Sequence, residues 1–576
     1  MQAKQSVVYK ILVKDREYKS YEIIDSFTLI AISNEVLTIN PAECKLFNQD
    51  IFKHNELNND VIIEHSVTRS MKNISGVLVL EGNKRYGKHK RKFLYKCIPD
   101  DKRIPIFMIP YVVNASFSKR QFNKYIVFKF QHWEDKYPRG SMVQILGNVT
   151  ELSNFYEYQL YCKSLYASIQ NFSKRAMKKI KEKTEIEFIH HIQQTYDVED
   201  RSTWDIITID PLHSKDFDDA FGFKQISNRQ ICLSIYIANV SFWLDTLNLW
   251  GSFSERIATI YLPDRKRPML PTILSDSLCS LQENRLRFAF TLDILLDSKT
   301  IEIQGTTFKN TCIKVRENLR YDAPSLLKNA TYRSAFGLVN KMNKVNKYME
   351  HIDNSHDLIA YLMILMNYLS ATYLVSQKRG IFRSAKFNKM FVTPTSVPTE
   401  VQKFLKTWNS FKGKYVKYNN IEGHDMLQLD AYIHITSPIR RLVDLLNIMI
   451  VQDSLKLMKL DGSRKEFYDR WTNDESFEYI NRTMRSIRKV QNDCNLLNMY
   501  AEDKTLLEHE YVGYIFDKIK RNDDLYQYMV YMPKIKMVNR FTSRYDKPSL
   551  AEYKFKIYIF TDESQLKRKI RIELQN

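Results

Sequence analysis

Cysteine is scarce and scattered. The seven in 576 residues (Cys44, Cys97, Cys162, Cys232, Cys279, Cys312 and Cys494) include no Cys-x-x-Cys pair, which excludes a zinc ribbon, a dithiol redox motif and a small disulfide-stapled scaffold. They read as buried thiols of a reducing compartment. Glycine (14) and proline (15) are also few, and the chain shows neither a low-complexity tract nor a repeat period. The N-terminal MQAKQSVVYK lacks the apolar stretch of a secretory signal. An intracellular protein, cytoplasmic or nuclear, is expected. Abundant Asn, Ile, Lys and Tyr suit an AT-rich genome, such as that of a large DNA virus.

Acidic residues are outnumbered. Lys and Arg total 87 against 66 Asp and Glu, a net charge of +21, and such a balance favours a polyanionic partner, either nucleic acid or an anionic membrane face. Long apolar runs are missing with one exception, LIAYLMILMNYLSATYLV at 358–375, which is uncharged and of bilayer-spanning length. It carries Asn367, Ser370 and Thr372, and a helix enclosed on every side by a large domain is equally apolar. A core helix is expected here, and no membrane association.

The length calls for several domains. From Val7 to about residue 165 short β-branched and aromatic runs recur between turn residues: SFTLIAIS (26–33), DVIIEHSV, KNISGVLVLEG, RKFLYKCIPD, KYIVFKFQHW, SMVQILGNV and YEYQLYC (156–162). This pattern suits two small barrels, over 1–75 and 76–168. Basic SKRAMKKIKEK (173–183) opens a helical linker into a mixed α/β region over 169–505. Strands return in EYVGYIFDKIK, YQYMVYMP and EYKFKIYIF, a third barrel over 506–576 that ends in a basic tail, QLKRKIRIEL. The fold class is multidomain α+β, a central mixed α/β domain flanked by small OB-fold β-barrels.

One segment opposes the basic trend. IDPLHSKDFDDAFGF (209–223) holds Asp210, Asp216, Asp218 and Asp219 within ten positions. Carboxylates this close raise one another's pKa unless a cation compensates. Oxygen-only donors without His or Cys suit Mg²⁺ or Mn²⁺. A calcium loop fails on spacing, since counting from Asp216 puts Phe221 where glycine is needed and Ser227 where glutamate is needed. Taken alone, the cluster fits a solvated acidic turn as well as a metal site. Elsewhere LEGNKRYGKHKRK (80–92) and RYDKPSLAEYKFK (544–556) interleave basic and aromatic residues, as grooves for single-stranded nucleic acid do.

Three ordered motifs decide between these readings. Ile209 to Ala220 fits I-D-P-x-x-x-x-D-x-D-D-A at every fixed position, YLPDRKRPMLPTILSDSLCSL follows at 261–281, and YIHITSPIRRLVD lies at 432–444. Together they resemble the RNB family of exoribonucleases, which includes ribonuclease II, ribonuclease R and the exosome catalytic subunit. IPDDKRIPIFMIP (98–110) and YPRGSMVQILG (137–147) look like the second cold-shock barrel of the exosome-type branch. The resemblance covers almost the whole chain and leaves no room for an endonuclease domain. It makes the N-terminal barrels cold-shock-like and the last one an RNA-binding OB barrel.

The resemblance implies processive 3′-to-5′ hydrolysis of single-stranded RNA with a free 3′ end, releasing nucleoside 5′-monophosphates by a two-metal mechanism with Mg²⁺, or with Mn²⁺ in its place. Asp210, Asp216 and Asp219 are the implied metal ligands, and Asp218 is the catalytic carboxylate that completes the metal set. Arg440 is the implied catalytic and RNA-binding guanidinium at the scissile phosphate, with Arg441 a backbone contact or structural pair. Tyr321 stacks on the 3′-terminal base and Tyr261 packs against a nucleotide deeper in the channel. A partner RNA-processing complex is also implied.

The chain departs from the family pattern in places. A Glu-Glu pair is replaced by Ala360 and Tyr361, with Asp357 one turn upstream, and the Asp of I-A-D and a later His are replaced by Asn239 and Asn447. The second reading is therefore a catalytically weak RNB-fold scaffold that binds RNA within a larger complex.

Overall fold

The structure, a computed structural model, describes residues 7–33, 37, 39–55, 60–113, 121–321, 323–386, 397–410 and 413–575. They divide into two units. The first comprises 1–166, 262–264 and 489–576, and the second 167–261 and 265–488.

The first unit is built of β-sheets. Val8–Val13, Tyr21–Asp25, Ile51–Asn55 and Asp60–His65 form a four-stranded antiparallel sheet. A six-stranded sheet follows between Ile74 and Asn148, and its strand Ile74–Leu78 pairs with both Lys92–Pro99 and Lys124–His132. Ile74 and Ser75 therefore belong with the second sheet, a small correction to the expected boundary at 75. The two sheets share one core, where Phe47 stacks on Phe107 with centroids 5.9 Å apart.

The C-terminal sheet has five strands, and the expected basic tail is its last strand, Lys567–Leu574, paired with Glu552–Asp562. Buried Lys567 lies 3.0 Å from Asp100 Oδ1, and Gln565 donates to the Asp100 carbonyl. Arg16 donates to the carbonyls of Pro99 and Ser564. Residues from the two ends of the chain thus complete one unit.

Two expected strands are not strands. Within SFTLIAIS the chain turns on Asp25, whose carboxylate accepts the N–H groups of Phe27 (2.9 Å) and Thr28 (2.8 Å), and a single bridge joins Ile24 to Ala31. YEYQLYC lies in the helix Leu152–Cys162, whose Phe155, Tyr156, Tyr158 and Leu160 are buried, with Tyr158 stacked on Tyr125 at 4.3 Å. Its aromatics favour a strand by propensity, but packing on the sheet beneath overrides so weak a preference.

The second unit is organised by a seven-stranded sheet, in the order Glu199–Arg201, Ile303–Lys314, Leu286–Asp297, Gln230–Ala238, Asp219–Ser227, Ile206–Asp210 and Glu317–Arg320. The interior pairs are antiparallel and the two edge pairs parallel. Period-two alternation sends Ile206, Ala220 and Tyr236 into one core and Ile207, Phe221 and Ile235 into the other. Both faces are covered, as the apolar strand sequences require.

The apolar run forms the helix Ser355–Ser376, started by Asn354, whose side chain accepts the Asp357 N–H at 3.0 Å. It is long and apolar enough to cross a bilayer, yet Leu358, Leu362, Leu365 and Leu374 are fully buried in the second core. Its one buried amide fixes the strand-like segment ahead of the TSPIRR motif: Asn367 Nδ2 donates to Tyr432 Oη (3.0 Å), and Oδ1 accepts the Ile435 N–H (2.9 Å).

Asn367→Leu would strand a buried N–H, which costs roughly 1–3 kcal/mol. The urea midpoint of the variant should fall accordingly with an unchanged m-value; an unaltered midpoint would show that the amide does not fix this segment.

Candidate active site

Asp210 ends a buried strand and Asp219 begins the next, so the antiparallel pairing brings the two residues to the same end of the sheet. The parallel neighbour of Asp210 is Arg320, and the following residue, Tyr321, donates its N–H to the Asp210 carbonyl at 3.1 Å. Tyr321 is thereby held beside the nest by backbone alone. Its ring stacks on His356, 3.8 Å between centroids and 10° from parallel.

The intervening loop is pinned from a distance. Ser280 Oγ accepts the Phe217 N–H (3.0 Å) and donates to the Lys215 carbonyl (2.7 Å), while Leu281 donates its N–H to the Phe217 carbonyl (3.0 Å). The Cys-Ser-Leu end of the second motif is thus a bracket for the aspartate loop.

Asp218 is the buried member, 2% exposed. Its carbonyl accepts the Ala238 N–H (2.8 Å), Oδ1 accepts the Ile439 N–H (2.9 Å), and Oδ2 lies 3.1 Å from Arg440 Nε. Arg440 also donates from Nη2 to Ser437 Oγ (3.0 Å), and its carbonyl accepts the Thr259 N–H (2.9 Å). The aspartate loop, the TSPIRR turn and the segment before Tyr261 are therefore joined by side-chain and backbone hydrogen bonds. Arg441 instead pairs with buried Asp444 at 2.8 Å, one of the two alternatives expected for it.

Asp216 has its own partners. Tyr261 Oη donates to Oδ2 at 3.3 Å, and Lys266 Nζ lies 2.8 Å from Oδ1 while also reaching Asp276 Oδ1 at 2.9 Å. Neither Lys266 nor Ser280 was singled out from the sequence. Lys266 sits in a basic loop run, DRKR, with nothing local to mark the carboxylates it bridges.

Electrostatics follow from burial. Burial pushes the Asp218 carboxyl up to about 8, and the Arg440 charge and the Ile439 N–H only partly offset it. Asp210 is raised by burial and then by the Asp219 charge; Asp219 is raised by burial against the pull of Arg440 and Arg441. An ion pair and a raised carboxyl coexist at Asp218 because the carboxylate is buried while the arginine side chain is 46% exposed.

Of the buried oxygens in the nest, Asp210 Oδ2 lacks a hydrogen-bond partner and Asp218 Oδ2 has only its ion-pair contact with Arg440. Oxygen donors with raised pKa values and orphaned lone pairs suit a hard cation. Among the described residues, however, no three acidic, His or Cys side chains converge as a ready metal cluster. The donor set fits such an ion after side-chain adjustment at Asp216, which Lys266 now holds.

Family comparison decides what this arrangement belongs to. Residues 198–335 and 325–457 match the RNB domain, and 94–157 match the Dis3-like cold-shock domain 2. The chain carries an RNB domain over residues 198–457. DIS3-like exonuclease 2 of Schizosaccharomyces pombe is 28% identical over 252 residues, which take in 42% of this chain and 27% of that relative's length. Among solved structures, Mycoplasma genitalium RNase R in complex with ribose-methylated single-stranded RNA superposes with a TM-score of 0.65 at 15% identity, covering 98% of this chain and all of that one. Yeast Ssd1, a pseudonuclease, gives 0.55 at 12% identity over 93% of this chain and 78% of its own. These two likenesses concern the fold.

The residues that depart from the RNB pattern are built into the interior. Tyr361 is fully buried and donates to the Asn346 carbonyl (3.3 Å). Asn447 accepts the Ile381 N–H and donates to the carbonyls of Ile381 and His434, and Asn239 donates to Asn310. Asp357 accepts the Asp353 N–H at 3.0 Å, a helix-start role.

A carboxyl raised from 3.8 to about 8 on folding binds its proton more tightly in the native state. Stability is then lost as pH rises through that window, by up to roughly 1.4 kcal/mol per pH unit for one proton. In EDTA, wild type should lose urea stability relative to Asp218→Asn between about pH 4 and 8; parallel profiles would refute the shift.

Proposed function

We propose that this chain is a 3′-to-5′ exoribonuclease that hydrolyses single-stranded RNA processively to nucleoside 5′-monophosphates, with Mg²⁺, or Mn²⁺ in its place, as cofactor. The observation that carries this reading is the aspartate loop itself, which places Asp210 and Asp219 at the ends of adjacent strands and is bolted through Asp218 to the turn that presents Arg440. Asp210, Asp216 and Asp219 would hold the ions, with Asp218 completing the set. Divalent ions there supply charge neutralisation and water activation for phosphodiester hydrolysis.

The chain's own residues do the rest. Arg440 is anchored by Asp218 and Ser437, and donors left beyond those contacts offset charge growing on the scissile phosphate. Tyr321, with one face covered by His356, offers the other to a terminal base, and Tyr261 lines the approach to Asp216. The RNA grip comes from basic and aromatic pairs such as Arg85 over Phe93 (4.1 Å) and Lys547 over Tyr553 (5.3 Å).

A second reading, an RNA-binding scaffold of weak or no activity within a larger complex, is favoured by the Lys266 contact that occupies Asp216 and by the replacement of two glutamates with Ala360 and Tyr361.

Incubation of 5′-labelled single-stranded RNA with the protein and Mg²⁺ separates the two. The nuclease gives progressive shortening to a limit product, abolished in Asp218→Asn and slowed about a hundredfold in Arg440→Lys, chiefly in kcat. RNA that is bound but never shortened, across Mg²⁺ and Mn²⁺, leaves the scaffold.

A further inference from the structure

The second unit holds a cavity that the chemistry above does not use. It measures about 310 Å³, and its polar lining is Arg383, Arg441, Arg488, His424, His434 and Tyr432, with Tyr415 and apolar side chains completing the wall. No carboxylate is among the residues that line it. Three permanent cations face one small space.

Two acids lie beside this lining. Asp444 takes Arg441 Nη2 at 2.8 Å, and Asp425 adjoins His424. Two buried polar atoms are left without a hydrogen-bond partner, Arg441 Nε and His424 Nδ1, and His424 itself is 5% exposed. An unsatisfied Arg441 Nε–H in a cationic recess costs free energy that a bound anion would recover. Burial and the surrounding guanidinium charges push the His424 imidazole down to about 4 and hold His434 well below its usual range. Both rings are neutral at physiological pH and available as hydrogen-bonding, stacking surfaces.

The aromatic part is equally organised. His424 lies 5.0 Å from Tyr432, His434 lies 5.9 Å from Tyr432 and 5.6 Å from Tyr415, and Tyr415 Oη meets His434 Nδ1 at 2.8 Å. The Arg383 guanidinium sits 5.3 Å from the Tyr415 ring centre. Guanidinium forks match phosphate oxygens in pairs, and π faces take a nucleobase without regard to its identity.

We propose that this cavity is a binding site for a nucleoside monophosphate, its phosphate held by Arg383, Arg441 and Arg488 and its base against the imidazole and tyrosine rings. A single phosphate monoester with an attached ring suits the volume, which lies at the small end of ligand sites; a continuing strand does not. The site is distinct from the aspartate nest. Arg440 turns to Asp218, whereas Arg441 turns to Asp444 and the cavity. The two sites thus share one turn, and occupancy here bears on the residue next to the scissile-phosphate arginine. The binding claim stands whether or not the protein degrades RNA.

The test is calorimetric titration of the full chain in EDTA with AMP, UMP and inorganic phosphate. One nucleotide per chain is expected, with AMP and UMP bound at least tenfold tighter than phosphate. Arg488→Met, on a half-buried helix position, and Arg383→Met should each weaken nucleotide binding tenfold or more with an unchanged melting curve. Should either variant misfold, photocrosslinking of wild type with 8-azido-AMP reads the same site, with label expected in the peptides spanning 415–441. Equal affinity for phosphate and nucleotide would reduce the cavity to a plain anion site. A short RNA without terminal phosphates that outcompetes AMP would make it part of a strand path. Either result, the absence of nucleotide binding, or a crosslink elsewhere overturns the proposal.

Discussion

A single buried carboxylate sets the geometry of the second unit. Asp218 accepts from a backbone N–H in the TSPIRR turn and faces the arginine beside it, while its own carbonyl is tied to the strand that ends at Ala238. Burying a charge is unfavourable unless partners surround it, so the loop, the turn and the strand end must come together for Asp218 to be tolerated at all. The nest exists because of that constraint. Asp210 and Asp219 inherit a poorly solvated setting in which ionisation is costly.

What could be read from the sequence divides along physical lines. The aspartate cluster and the TSPIRR stretch are contiguous, and their chemistry is visible in residue type and spacing; most of the strands announce themselves by β-branched and aromatic runs. The bracket formed by Ser280 is another matter, because its partners Lys215 and Phe217 are more than sixty positions away. Lys266 reads as one more loop cation until the fold delivers Asp216 and Asp276 to it. The helix at Leu152–Cys162 was hidden by its tyrosines, which favour a strand locally and a helix only when a sheet is there to receive them. The guanidiniums around the cavity come from Arg383, Arg441 and Arg488, three separate parts of the chain, and no local pattern joins them.

The substitutions away from the RNB pattern tell a consistent story. Tyr361 and Asn447 spend their polar atoms on backbone, and Asn239 donates to Asn310, which also accepts from Gln452, while Asn239 Oδ1 has no partner. They support the interior instead of reaching outward. In the nest, Asp210 Oδ2 is left without a hydrogen-bond partner and the Arg440 side chain is 46% exposed. The divergence has therefore fallen on the scaffold around the nest and spared the nest.

The first unit carries a consequence for biosynthesis. It is assembled from residues 1–166 together with 489–576, and Asp100 finds its partner, Lys567, in a segment made 467 residues later. At roughly 5–20 residues per second a ribosome needs tens of seconds to bridge that interval. Throughout it the nascent N-terminal strands wait without the Gln565 and Lys567 partners of Asp100, so the strand Lys567–Leu574 acts as the latch on the turn after Lys92–Pro99.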